Sequence, residues 1–322
     1  MDSLEASASE VNKQLCLPQV ALADYTTYRT GGPAEWFATP RNLEQMQHCL
    51  QWAHLQGLPV TVMGAGSNLL ISDYGLPGLV ICTRRWRQTH FDQATARITA
   101  AAGEPLPALA WKAAKRGWRG LEWAVGIPGT VGGAVFMNAG AHGVSTSDIL
   151  VNAWLLDTQE TPSNSGPAVV SVVPEQLDFT YRTSNLQSAP RPVLQATFQL
   201  QPGHDPKDVL ADTQADLEQR RASQPYDKPS CGSVFRNPQP HSAGWLIEQC
   251  GLKGHCVGGA QVSERHANFI VNCGGARSED ILQLIRYVQN KVANRWSLQL
   301  QAEVRLMGRF SDVEFPPSAR IR

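Results

Sequence analysis

Between Gly126 and Gly143 the chain reads GIPGTVGGAVFMNAGAHG, six glycines in eighteen residues flanked by apolar segments. Glycine tolerates positive φ and lets backbone amides approach a ligand with no Cβ in the way. Successive N–H groups in such a turn form a nest that suits a pyrophosphate. Thr130 within it, and Ser67 elsewhere, add hydroxyl donors. Turns between short strands alone do not require so many glycines. A second loop, PVTVMGAGSNLLISD, places Gly64 and Gly66 directly after a predicted strand. The third glycine of a Rossmann fingerprint is replaced by Leu69, and no helix is predicted to follow. Two separated glycine loops with neither Walker nor Rossmann chemistry point to a dinucleotide in an unusual cradle. FAD fits that description.

The 322 residues are enough for two or three domains. Acids and bases balance at 28 each without long runs, which argues against nucleic acid or an anionic membrane as partner. The seven cysteines form no C-x-x-C pair, and most sit in apolar contexts, as expected in the reducing cytosol. The start, MDSLEASASEVNKQL, lacks a basic segment followed by an apolar core, so no secretory signal is expected. No apolar run reaches the roughly 20 residues of a membrane span. A cytoplasmic monomer is the expectation. The histidines show no metal-binding spacing, so no metal site is expected.

Periodicity predicts a helix over 42–56 capped by Asn42, a strand over 59–63, further strands over 78–84 and 94–103, and a helix over 105–117. Residues 151–158, 168–174 and 193–202 read as strands, with a polar turn over 159–167. Helices follow over 208–222 and 278–296, the latter with Ser278 as cap, and a strand over 301–308. Strands and helices mix without a strict βαβ rhythm, so the expected class is α+β. The expected division is a flexible extension over 1–20, one domain over 21–203 in two lobes (21–83 and 84–203), a smaller α+β domain over 204–308, and a tail over 309–322.

The stretch KPSCGSVFRNP, residues 228–238, offers two chemically competent side chains, Cys231 and Ser233. The thiol is the better acid, and Lys228 or Arg236 can lower its pKa further. The hydroxyl sits beside Gly232, which leaves room for a ligand and for an unusual backbone angle. The residues by themselves leave both open.

Eight ordered motifs carry a resemblance: YTTYRTGGPA (25–34), VMGAGSNLLI (62–71), GIPGTVGGAVFMNAGA (126–141), FTYRTS (179–184), CGSVFRNP (231–238), AGWLIEQCGLKG (243–254), GGAQVSERHANFIVN (258–272) and AEVRLMG (302–308). In order and spacing the chain resembles the UDP-N-acetylenolpyruvoylglucosamine reductase family across roughly residues 25–308. The resemblance implies a two-lobed FAD domain of the vanillyl-alcohol-oxidase type followed by a substrate domain. It implies non-covalent FAD held by Gly64, Ala65, Gly66, Ser67, Asn68 and Leu69 of one loop. The other loop contributes Gly126, Ile127, Pro128, Gly129, Thr130, Gly132, Gly133, Asn138 and Gly140. NADPH is implied as co-substrate, and UDP-N-acetylenolpyruvoylglucosamine as the acceptor reduced to UDP-N-acetylmuramate in peptidoglycan precursor synthesis. Only TSNLQSAPRP separates Arg182 from the next strand, so the chain resembles the shorter members that lack an extra tyrosine-bearing loop.

Arg182, Ser233 and Glu303 stand where the family has its catalytic arginine, serine and glutamate. Hydride addition to an enolpyruvyl group pushes electron density onto the carboxylate, and an arginine fork matches both oxygens of the resulting enediolate. Glu303, expected in a strand facing the same side as Arg305, is a candidate neutral donor or proton relay. Reduction of the alkene needs no nucleophile but does need a placed proton, which with the resemblance favours Ser233 over Cys231. Tyr181, Arg236, Asn237, His266, Asn268 and Arg305 are the candidate substrate-binding residues. Two other readings remain at this stage: a same-fold FAD enzyme acting on another sugar or alcohol, and a flavin-binding protein without turnover.

Overall fold

The computed structural model describes residues 15–157 and 168–311. The expected polar turn over 159–167, most of the N-terminal extension and the tail from 312 lie outside the described residues. The chain divides into two compact units. The first comprises residues 1–18, 36–65 and 78–219, and the second residues 19–35, 66–77 and 220–322.

The first unit is built on a five-stranded antiparallel sheet. Its strand order is Ala168–Val172, Leu150–Asp157, Val193–Gln199, Arg97–Ala101 and Thr89–Asp92. The helix Leu106–Ala114 buries Leu106, Leu109, Ala110 and Ala113 in a cluster with Ile98, Ala100, Ala196 and Phe198. A second cluster lies under the helix Leu43–Leu55, whose Met46, Cys49 and Ala53 meet Leu79 and Ile81 of the strand Leu76–Cys82. Asn42 caps this helix as expected, its side-chain oxygen accepting the Gln45 N–H at 2.9 Å. The strand Val60–Met63 runs parallel to residues 79–82 and ends at the first glycine loop.

The second unit holds a small antiparallel sheet of Cys256–Val257, Ala260–Val262 and Ile270–Asn272, with the helices Ala243–Gln249 and Ser278–Trp296. A separate parallel pair joins Leu69–Ile71 to Arg305–Met307. The long helix buries Ile281, Leu284, Ile285, Val288 and Val292 on one face, the period read from the sequence.

Several expectations change. Residues 15–20 are no loose extension, because Cys16–Ala21 is a strand and Cys16 is buried in the cluster under the first helix. The tail begins later than 309, since Phe310 is buried in the core of the second unit. The expected boundary at 203/204 lies at 219/220. The helix Pro206–Ser223 is held to the first unit by the Arg119–Asp212 ion pair at 2.7 Å and by Leu217 against its core. Segments 19–35 and 66–77 leave the expected first domain because Tyr28 and Leu70 are core residues of the second unit. Ser278 is the first helical residue and not the cap; the Asp73 carboxylate accepts the Ser278 and Glu279 N–H groups at 2.9 and 3.0 Å. The strand expected over 301–308 is confined to Arg305–Met307, with a bend at Val304. Removing the Asn42 cap should therefore cost local stability: Asn42→Ala is expected to lower unfolding free energy by about 1 kcal/mol, read in denaturant titrations.

Candidate active site

In the first unit the two glycine loops meet at one point. A Cβ on Gly64 would stand 2.3 Å from Thr130 Oγ1, so only glycine allows this approach. Residues after the next strand hold the first loop. Thr83 Oγ1 donates to the Met63 carbonyl at 3.3 Å, Cys82 Sγ to that of Gly64 at 3.5 Å, and the Arg84 guanidinium to that of Ala65. The second loop is not a plain run of turns but contains a short helix, Val131–Met137, capped by Thr130, whose hydroxyl accepts the Gly133 N–H at 3.4 Å. Backbone bonds fasten it to the core: Val131 N–H to Glu104 O at 2.9 Å, Gly132 N–H to Ala102 O at 2.9 Å and Leu106 N–H to Gly129 O at 3.0 Å. The side chain of Glu104 is buried and paired with Lys112 at 2.5 Å. A cradle of close backbone, with a hydroxyl at the crossing and no bulky side chain there, fits the diphosphate of FAD.

The arginine turn is tied to the same loop. Thr180 and Thr183 exchange backbone hydrogen bonds at 3.1 Å each way, and Arg182 between them has φ 57°, a left-handed conformation uncommon for any residue but glycine. Its guanidinium donates to the Gly140 carbonyl at 2.7 Å. Asn138, itself left-handed at φ 44°, donates to Thr180 O at 3.1 Å and accepts the Ser147 N–H at 3.0 Å. Gln187 and Ser184 both reach the Phe136 carbonyl, and Gln187 also the Arg182 carbonyl at 3.0 Å. The backbone around Arg182 is thus fixed by neighbours on both sides. Tyr181 beside it is half exposed, its ring 5.2 Å from the guanidinium carbon.

The second unit carries Gly66, Ser67, Asn68 and Leu69 and the turn containing Ser233. Cys231 is 4% exposed, its thiol donating to the Leu69 carbonyl at 3.2 Å, with Thr27 Oγ1 at 3.5 Å. Burial pushes its pKa up to about 12, against the lowering by those hydrogen bonds. It is a packed, protonated thiol. Gly232 follows with φ 74°, and a Cβ there would meet nothing within 4 Å, so the backbone angle and not space demands glycine. Ser233 comes next, half-buried. From Val234 the chain enters a short ladder with residues 301–304: Glu303 N–H donates to Val234 O at 2.8 Å and Arg236 N–H to Gln301 O at 2.9 Å. Ser233 and Glu303 are thereby brought onto adjoining segments. Asn68 braces the Glu303 side, donating to Glu303 O at 3.0 Å and accepting the Arg305 N–H at 2.9 Å.

Other expected site residues turn out to be differently employed. Glu303 lies before the strand and the bend at Val304 breaks the alternation, so no shared face with Arg305 follows from strand geometry. Asn268 is 2% exposed, and its amide is committed to the Phe235 backbone, accepting the N–H at 3.0 Å and donating to the carbonyl at 2.9 Å. That replaces the expected substrate contact. Asn237 accepts the Ala243 N–H at 3.0 Å at the start of a helix. His266, half-buried with its pKa lowered by desolvation, accepts the Asn268 N–H on Nδ1 at 3.2 Å. Arg305 is half-buried and its pKa is also lowered by desolvation. Arg236 is half-buried beside the turn. Sequence reading missed the bracing roles of Thr83, Arg84 and Asn68, because a hydrogen bond to a loop carbonyl leaves no periodicity or motif of its own.

Family comparison gives the class first. Residues 34–161 match the FAD binding domain family model, so the chain carries a flavin-binding domain, and with the reductases it resembles this makes it an FAD-containing oxidoreductase. Residues 224–307 match the C-terminal domain of UDP-N-acetylenolpyruvoylglucosamine reductase. A UDP-N-acetylenolpyruvoylglucosamine reductase of Acaryochloris marina is 57% identical over 92% of this chain and 94% of its own. One of Synechococcus sp. (strain JA-3-3Ab) is 58% identical over 91% of each chain. The crystal structure of the reductase from Thermus caldophilus superposes with a TM-score of 0.74, at 34% identity, over 91% of this chain and 98% of that one. The chain belongs to the UDP-N-acetylenolpyruvoylglucosamine reductase family.

Two outcomes are expected from this geometry. With a pKa near 12, Cys231 is ionised to about one part in ten thousand at about pH 8. Alkylation of the native protein followed by peptide mass spectrometry should label the exposed Cys256 and Cys273 and spare Cys231. Labelling of Cys231 should rise only as pH climbs toward that value. Gly64→Ala forces its methyl into Thr130 and should yield protein purified with little or no flavin absorbance, while Gly57→Ala, where a Cβ meets nothing, should retain it.

Proposed function

We propose that this protein reduces UDP-N-acetylenolpyruvoylglucosamine to UDP-N-acetylmuramate, with Arg182, Ser233 and Glu303 as its catalytic residues. Bound FAD, reduced by NADPH, supplies the hydride that adds to the terminal carbon of the enolpyruvyl double bond. Arg182 stabilises the carboxylate as it takes on enediolate charge, its preset left-handed turn holding the guanidinium without reorganisation. Ser233 gives its hydroxyl proton to the α-carbon. A serine is a weak acid, but an enediolate is a strong base, and placement supplies the rest. Glu303 donates to the enediolate or passes a proton to the serine. Arg236, Arg305, Tyr181 and His266 recognise the uridine diphosphate and the sugar.

What supports this reading most directly is the contrast within one turn: Cys231 is buried and held protonated, while Ser233 follows a glycine kink next to the Glu303 segment. The cytoplasm is its compartment, supported by seven free cysteines among the described residues. No helix among the described residues is long and apolar enough to cross a membrane. It acts as a monomer, which gel filtration checks.

Rapid mixing separates the two half-reactions. NADPH should bleach the yellow enzyme, and the enolpyruvyl UDP-sugar should restore the colour where simple alcohols leave it bleached. Ser233→Ala is expected to slow only the second step, by about 10²- to 10⁴-fold. Cys231→Ala should leave both steps nearly unchanged; an equal loss there would transfer the role to the thiol. Arg182→Lys keeps the charge but not the fork, and should cost about 10²- to 10³-fold in the same step.

A further inference from the structure

Asn268 contacts the serine turn three times without touching Ser233. Its carbonyl accepts the Val234 N–H at 2.8 Å, its side-chain oxygen accepts the Phe235 N–H at 3.0 Å, and its side-chain nitrogen donates to the Phe235 carbonyl at 2.9 Å. An amide that both gives and takes on one residue imitates a neighbouring strand, but only over a single residue. Asn268 is 2% exposed, in a segment where its own N–H is taken by His266 Nδ1 at 3.2 Å. The opposite edge of the same turn is held by the Glu303 N–H on Val234 O. Val234 and Phe235 are therefore pinned from both sides, while Gly232 with its positive φ is the pivot before Ser233.

We infer that Asn268 is a positioning residue for proton transfer: it sets the direction in which Ser233 presents its hydroxyl, and so acts on the protonation half-reaction and not on flavin binding or flavin reduction. This rests on the assignment of Ser233 as the proton donor. A leucine has the same number and branching of side-chain heavy atoms, though it is bulkier, and leaves the Phe235 N–H and C=O unpaired in a buried place, which shifts the turn to find new partners. An aspartate keeps the size of the side chain and the acceptor for the N–H. It sets a carboxyl oxygen against the Phe235 carbonyl where the donor was, so one bond is lost and a repulsion takes its place. A displacement of about 1 Å in a catalytic group is enough for a loss of about 10²-fold.

The test uses the flavin-loaded enzyme with Asn268→Asp, Asn268→Leu, Ser233→Ala and the double variant Ser233→Ala/Asn268→Asp. Each is followed for flavin content, reduction by NADPH and reoxidation by the enolpyruvyl UDP-sugar. Asn268→Asp should retain its flavin, reduce at the wild-type rate within about twofold, and reoxidise about 10- to 100-fold more slowly. Amide hydrogen exchange should quicken at Val234 and Phe235 in this variant. The double variant should reoxidise no more slowly than Ser233→Ala alone, because a residue acting through the serine has nothing left to position. Multiplicative losses in the double variant, or equal losses in both half-reactions, would overturn the inference. So would a normal reoxidation rate in Asn268→Asp. If Asn268→Leu fails to fold, the aspartate variant decides. Failure of the underlying reading looks different: Ser233→Ala alone would then leave reoxidation fast.

Discussion

A short backbone ladder, Glu303 N–H to the Val234 carbonyl and Arg236 N–H to the Gln301 carbonyl, joins the two arms of the second unit that carry chemistry. The arms are about seventy residues apart in the chain, and nothing local would keep them in register. Each arm is then fastened a second time by an asparagine. Asn268 grips Phe235 with both ends of its side-chain amide, and Asn68 donates its side-chain N–H to Glu303 O while its backbone carbonyl accepts the Arg305 N–H. Amides suit this work because they carry a donor and an acceptor and no charge, so they can be buried at little electrostatic cost. Cys231 completes the arrangement by plugging its thiol against the Leu69 carbonyl. A chemically reactive residue type has been converted into a packing one by desolvation.

In the first unit the controlling constraint is steric. Two loops cross at Gly64 and Thr130, too close for any Cβ. The threonine hydroxyl that occupies this crossing also caps the helix inside the second loop. One oxygen thus sets both the spacing of the loops and the start of the helix. The Arg182 turn leans on the far end of that helix through Asn138, Ser184 and Gln187. A change in the loop would therefore reach the arginine by way of covalent neighbours and these three hydrogen bonds, without any contact to a ligand.

The amphipathic helices were plain in the sequence, because a 3.6-residue apolar period survives without tertiary information; the face of Ile281, Leu284, Ile285, Val288 and Val292 illustrates this, and the cap was legible at Asn42 but not at Ser278. The glycine loops were legible as loops, and their family motif pointed to FAD, but their crossing at Thr130 was not, since it joins positions 66 residues apart. Glu303 shows where strand pattern misleads: AEVRLMG alternates like a strand, yet Glu303 and Val304 both direct their N–H groups to Val234 O and the chain bends there. Asn268 reads in the sequence as a candidate substrate contact while its buried amide bonds the Phe235 backbone, because an asparagine in a motif looks the same whether its amide meets a ligand or a neighbouring backbone. The domain boundary was missed for a related reason. Composition changes near residue 203, but packing keeps Val209, Thr213 and Leu217 with the first unit.

Neither unit is a continuous piece of chain, and this bears on how the protein emerges from the ribosome. Tyr28 and Leu70 belong to a core whose other members begin at Cys231, and Asn272 Nδ2 closes on the Tyr28 carbonyl across 244 positions. The early segments 19–35 and 66–77 must wait for most of the chain before they can bury anything in their own unit. The first unit, whose last residue is Gln219, can complete its sheet while the second is still being made. Such long-range closure slows folding, since loop entropy is lost before the contacts repay it. The order of synthesis thus favours a chain that completes its first sheet before its serine turn, while residues 66–69 of the first glycine loop wait with the second unit.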